Sequence, residues 1–78
     1  HAGVRPGVAL DMQKPQDLVW IRDAFLKSDA DFGKVVIHGH TPVDRPEIKA
    51  NRIDIDTGAV FSGGLTTIAL EGAAYRFL

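Results

Sequence analysis

Cysteine is absent from the 78 residues, which excludes a disulfide framework, a thiolate metal site and a cysteine nucleophile. A G-x-S-x-G stretch is also missing, so the common acyl-transfer arrangements are excluded. Neither charge sign is in excess: nine Lys and Arg face ten Asp and Glu, for a net charge of −1. With the charges interspersed, no nucleic-acid footprint or polybasic membrane patch is present, and no nucleic-acid or membrane partner is expected. No apolar run approaches the roughly 20 residues of a membrane span, and no signal-peptide pattern opens the chain, so the expected setting is soluble and cytoplasmic. Ser62-Gly63-Gly64 leads into a strand rather than a helix and does not form a phosphate loop. There is no repeat, low-complexity stretch or internal linker. The length allows one small domain at most, marginal without help.

What is present reads in order as loop, helix, buried strand and two β-hairpins. Gly3, Pro6 and Gly7 keep residues 1–14 irregular. From Pro15 to about Lys27, Leu18, Ile21 and Phe25 recur at helical spacing, with Trp20, Ala24 and Leu26 widening the stripe. Pro15 suits the first turn, Asp17 the same end of the helix dipole, and Lys27 the other end. Val35-Val36-Ile37, bounded by Gly33 and Gly39, has the signature of a strand buried on both faces. Glu47-Ile48-Lys49 and Arg52-Ile53-Asp54-Ile55-Asp56 alternate around Ala50-Asn51, a hairpin with Ile48, Ile53 and Ile55 toward the core and Asp54 and Asp56 toward solvent. Asp56, beside Thr57-Gly58, has the alternative of bonding the turn's backbone. A last hairpin pairs 65–70 with 73–78 around Glu71-Gly72. One helix is too little to cover a buried strand, and the chain opens on His1 inside a loop. Both features read as a fragment whose N-terminal part is absent. A tag remnant is the alternative origin of His1.

The candidate chemistry lies in His38-Gly39-His40-Thr41-Pro42, where the apolar strand runs out into a loop. Imidazole suits zinc, manganese and iron, and carboxylates commonly complete such sites. His38 and His40 would share a side if the strand continued, but Gly39 lets the backbone turn. Taken alone, the five residues are a metal or phosphate corner or an ordinary turn. Arg22, on the helix, is a phosphate clamp or a solvated side chain with its stem over the core edge.

Four stretches occur together in order: His1-Ala2-Gly3-Val4-Arg5-Pro6-Gly7, the helix core 18–26 with Trp20-Ile21-Arg22, His38-Gly39-His40-Thr41-Pro42, and 53–61 with Ile55-Asp56-Thr57-Gly58. Together they resemble the C-terminal part of a calcineurin-like metallophosphoesterase. The branch they look most like is the bacterial one similar to serine/threonine protein phosphatases and symmetrical diadenosine tetraphosphatases. The resemblance implies that residues 1–78 are the C-terminal part of a single α/β domain, an incomplete αββα sandwich. It implies a phosphoric ester hydrolase with two divalent ions, manganese first and iron or zinc as alternatives. Its substrate would be a phosphoprotein or a nucleotide phosphate. His1 and His40 would be ligands of one ion, Arg22 would bind the substrate phosphoryl group, and His38 would be a bystander or a support. The family's D-x-H, G-D-x-x-D-R and G-N-H-E segments are not in this chain, so the chain alone is expected to be inactive, with no catalytic residue of its own.

If His1 and His40 share an ion, their ligating nitrogens should lie about 3–4 Å apart. Apolar surface at Val35-Val36-Ile37 and Trp20 is expected to drive self-association. The alternative reading is a small β-rich binding module in which the histidines are incidental.

Overall fold

Pro15 opens the first helix as its missing N–H allows, yet that helix stops at Trp20. The computed structural model describes all residues, 1–78. After a 3-10 turn at Leu10–Met12, within the stretch expected to be irregular, its elements run α1 (Pro15–Trp20), α2 (Asp23–Leu26), β1 (Val36–His38), β2 (Glu47–Ile48), β3 (Arg52–Asp54), α3 (Ala59–Ser62), β4 (Ile68–Glu71) and β5 (Ala74–Phe77). The expected single helix from Pro15 to about Lys27 is therefore two short ones. Ile21 is extended, with φ −58° and ψ 145°. The cause is non-local. A continuing helix needs the Leu18 carbonyl for the amide of Arg22, but the Ala2 amide takes that carbonyl at 2.7 Å. The break turns Ile21 and Phe25 into one core and leaves Leu18, Val19 and Trp20 exposed.

That core joins Ala2, Val4, Ile21 and Phe25, with Leu26, Phe32 and Val36 packed at its margin. The backbone of Gly3 lies directly on the Phe25 ring. A Cβ built at Gly3 would come 2.3 Å from Phe25 Cδ2, so only glycine fits. The exit from α2 is fastened to the β2–β3 turn by Asn51, whose Nδ2 donates to the carbonyls of Ser28 and Ala30 at 2.8 and 3.0 Å.

The first sheet has the order β1-β3-β2. Its central strand, β3, runs parallel to β1, with His38 opposite Asp54, and antiparallel to β2, with Glu47 opposite Asp54. Several expectations change here. The strand expected to be buried on both faces is an edge strand, with Val35 outside it and 54% exposed. Ile48 is 53% exposed rather than in the core. Asp54, expected toward solvent, is only 1% exposed. On the face of β3 opposite Ile53, the Phe25 ring of α2 lies over Arg52 and against His38, and Asp54 shares that face beside the in-register His38.

A helical turn, α3, follows Gly58, an element for which the sequence pattern gave no expectation. The last hairpin forms, with Leu70 opposite Tyr75 and Glu71 opposite Ala74. Its connection is thus Gly72-Ala73, one residue later than expected. Gly72 carries φ +58°, the conformation a tight hairpin turn demands at its first central residue. The expected α/β mix is what forms, as one three-stranded and one two-stranded sheet. No helix is long and apolar enough to cross a membrane.

Candidate metal centre

The first two residues are pinned between α1 and the end of β1. The Ala2 amide bonds the Leu18 carbonyl, and the Gly39 amide donates to the His1 carbonyl at 2.7 Å. On the other side of Gly39 the chain turns sharply. The Thr41 amide donates back to the Gly39 carbonyl at 2.8 Å, and His40 between them has φ +69°. This is a γ-turn with positive φ at its centre, a rare conformation. A non-glycine residue held there costs on the order of 1–3 kcal/mol and is found mostly where the surroundings enforce it. Gly39 had the better steric claim to that φ; the structure places it on His40 instead.

The turn aims His40 at His1. Nε2 of His1 and Nδ1 of His40 lie 3.2 Å apart, with ring centroids 5.0 Å apart. The indole of Trp20 meets the His40 ring edge-on at 5.6 Å, and Nε2 of His40 is buried without a hydrogen-bond partner. Two ring nitrogens this close must either share a proton or face a common cation. Legs of about 2.1 Å spanning that base meet at about 100°, between octahedral and tetrahedral angles, so the pair fits as two ligands of one divalent ion. They are half a shell at most. No group of three or more His, Cys, Asp or Glu is gathered for a metal anywhere in the chain. An open cleft of about 380 Å³ beside the pair is also lined by Asp56 and Thr57. Asp56 accepts the Gly58 amide at 3.1 Å, the backbone-bonding role open to it from the sequence.

Arg22 caps α2 at the joint of the two helices. It is exposed, and its guanidinium makes no ion pair. The structure thus brings His1 and His40 into contact and leaves Arg22 outside that contact.

Behind the loop lies a buried polar group that the sequence did not announce. His38 is buried; its Nδ1 is 3.0 Å from the Gly39 carbonyl and its Nε2 is 3.2 Å from Nη1 of Arg52. Arg52, also buried, donates through Nη2 to Glu47 at 2.5 Å and lies 6.0 Å from the Phe25 ring centre. The Phe25 ring meets His38 edge-on at 4.9 Å. The Arg52 hydrogen bond holds Glu47 below the usual carboxylate range, whereas burial lowers the His38 pKa. Burial also raises the Asp54 carboxyl, whose Oδ1 accepts the Asp56 amide at 3.0 Å while Oδ2 has no partner. Arg52 and Asp54 were legible only as alternate residues on one face of a strand. The in-register His38 on β1 was the available hint that this face is enclosed.

Sequence comparison adds an independent observation. The chain is 52% identical over 33 residues to a bis(5′-nucleosyl)-tetraphosphatase PrpE [asymmetrical] of Halalkalibacterium halodurans, covering 42% of this chain and 13% of the relative. It is 33% identical over an 82-residue alignment to the protein of the same name from Bacillus thuringiensis, covering 87% of this chain and 33% of the relative. The chain is similar to bacterial tetraphosphatases. A third protein of that name, from Geobacillus thermodenitrificans, is 46% identical over 33 residues, 42% of this chain and 14% of the relative. The chain thus spans about a third of the tetraphosphatases' length in the longer alignment and about a seventh in the shorter ones. By name these relatives are tetraphosphatases, and the similarity does not select between the enzyme branches that the motifs resembled. The relatives' names say asymmetrical, whereas the sequence motifs pointed to symmetrical and protein-phosphatase enzymes. No protein-family model matches the chain, and no solved structure matches it.

Proposed function

We propose that residues 1–78 form the C-terminal part of a metallophosphoesterase domain, and that the whole protein hydrolyses a phosphate ester with two divalent ions. His1 and His40 hold one of them, manganese first, with iron or zinc as alternatives. Bound there, a divalent ion polarises phosphoryl oxygens and lowers the pKa of a coordinated water. The chain's own contributions are the two imidazoles, their fixed approach through the Gly39 peptide, and Arg22, whose guanidinium suits a phosphoryl group in two contacts. The substrate is a phosphoprotein or a nucleoside polyphosphate, the latter favoured by the relatives' name. Alone, the 78 residues are inactive, because two histidines cannot complete even one ion's shell. The observation that carries this reading is the 3.2 Å approach of two imidazoles 39 positions apart.

The test is phosphate release by the full reading frame, on a dinucleoside tetraphosphate and on a phosphopeptide, with manganese present or chelated. Chelation is expected to abolish release, His40→Ala to lower kcat/KM at least about 100-fold, and Arg22→Ala chiefly to raise KM. Undiminished release under chelation, or from the His40→Ala enzyme, overturns it. A β-rich binding module is the second reading, favoured by Val60 and Phe61, which are 91% and 88% exposed. It predicts no hydrolysis of either substrate.

A further inference from the structure

The strained turn at His40 needs something to hold it, and the structure shows what does. The Gly39 carbonyl belongs to the peptide that leads into His40, so its direction sets where the imidazole goes. That carbonyl has two partners: the Thr41 amide at 2.8 Å and Nδ1 of His38 at 3.0 Å. For the second to be a hydrogen bond, His38 must carry its proton on Nδ1, and Arg52 ensures this. A guanidinium can only donate, so the Nη1 group 3.2 Å from Nε2 of His38 requires that nitrogen to be bare. Arg52 is itself fixed by Glu47 and by the Leu26 carbonyl at 3.5 Å, and Phe25 covers both side chains.

We propose that His38 and Arg52 are a positioning pair. Arg52 selects the His38 tautomer, His38 clasps the Gly39 carbonyl, and the clasp keeps His40 in the positive-φ turn that presents its Nδ1 to His1. His38 thereby has a task distinct from that of a ligand. The consequence for metal binding rests on the ligand reading proposed above; the clasp does not. Without it, the Gly39–His40 peptide relaxes toward negative φ and the His40 ring leaves His1.

Two substitutions separate the two halves of the pair. In His38→Asn the amide nitrogen takes the place of Nδ1 and still donates to Gly39. In His38→Gln the side chain reaches Arg52 with its oxygen but has no donor near Gly39. Imidazole nitrogen NMR on the metal-free 78-residue chain should show His38 as the Nδ1–H tautomer, and Arg52→Met should release that preference. Amide exchange at Thr41 should quicken at least about tenfold in His38→Gln and stay near wild type in His38→Asn. With zinc alone as the probe, on chain acetylated at its amine, His38→Gln should weaken binding about 10–100-fold, and His38→Asn by less than about threefold. Circular dichroism verifies that each variant is folded. An Nε2–H tautomer in the wild type, or wild-type Thr41 exchange in His38→Gln, overturns the pair. If the wild-type chain binds no zinc, the ligand reading loses its support here, and the tautomer and exchange measurements still decide the clasp.

Discussion

The three-stranded sheet and the β4–β5 hairpin are both made of short strands with satisfied ladders, yet they are held in different ways. In the sheet, β3 is enclosed on both faces, with Arg52, Ile53 and Asp54 all buried. In the hairpin every residue of β5 is exposed. It is tied to the rest chiefly through Thr57, whose hydroxyl reaches the Gly64 carbonyl at 3.0 Å and the Thr66 hydroxyl at 2.7 Å. Between the back of the sheet at Ile37 and Ile53 and the hairpin at Leu70 and Tyr75 lies an open, mostly apolar gap of about 510 Å³. The radius of gyration shows the same looseness. It is 12.5 Å, against about 11.5 Å for a compact chain of this length. The accessible surface of 5595 Å² likewise exceeds the about 4,700 Å² expected for a compact protein of this mass. Hydrogen bonds alone leave a two-stranded ribbon marginal; burial on both sides is what gives the sheet a fixed place for the histidine loop.

The sharpest way to break this contrast is Phe25→Ala. Phe25 is fully buried and touches both the apolar core and the His38–Arg52 pair. Its truncation should cost about 3–5 kcal/mol, enough to unfold a domain this small in a urea titration, while leaving hairpin amides as poorly protected as before. Asp54→Asn probes the enclosed face through pH. Burial raises the folded carboxyl above its ordinary value of 3.8, so the native state retains a proton that the unfolded chain releases. The resulting penalty is absent below about pH 3.8 and grows as pH rises through the folded value. Asp54→Asn should therefore be more stable than wild type near neutral pH, and the two melting curves should converge on acidification. A difference that is constant with pH would place Asp54 in water. The smallest expected effect is Thr57→Val, about 1 kcal/mol for the lost hydroxyl bonds. It should appear as faster exchange in residues 65–78 with the sheet unchanged. Equal changes in both regions would mean that the hairpin and the sheet unfold as one unit.

Local chemistry was legible where a local rule decides. Pro15 starts a helix, Ala50-Asn51 turns a hairpin, and glycine sits in the last turn. What was not legible depends on distant partners. The break at Ile21 follows from an amide near the start of the chain capturing the Leu18 carbonyl. The burial of Arg52 follows from Phe25 of α2 lying over a face that alternation alone assigns to solvent, and Asp54 shares that face with the buried His38. The shift of the last turn to Gly72-Ala73 is a register choice that no buried face enforced. In the candidate site, His40 and His1 were singled out by motif resemblance. Spacing could not have paired them, because their meeting depends on the Gly39 amide bonding to the His1 carbonyl and on the turn closed by the Thr41 amide on the Gly39 carbonyl. Gly39 also drew the expectation of the turn to itself and concealed the strain on its neighbour.

The chain's single tryptophan stands with its indole edge-on to His40 and is 64% exposed. That placement gives the molecule an intrinsic optical gauge. Light absorbed by Trp20 is emitted beside the ring whose position matters most. A proton, a cation or a change of turn at His40 can therefore be followed in the emission of the unlabelled protein, with no second indole to dilute the signal.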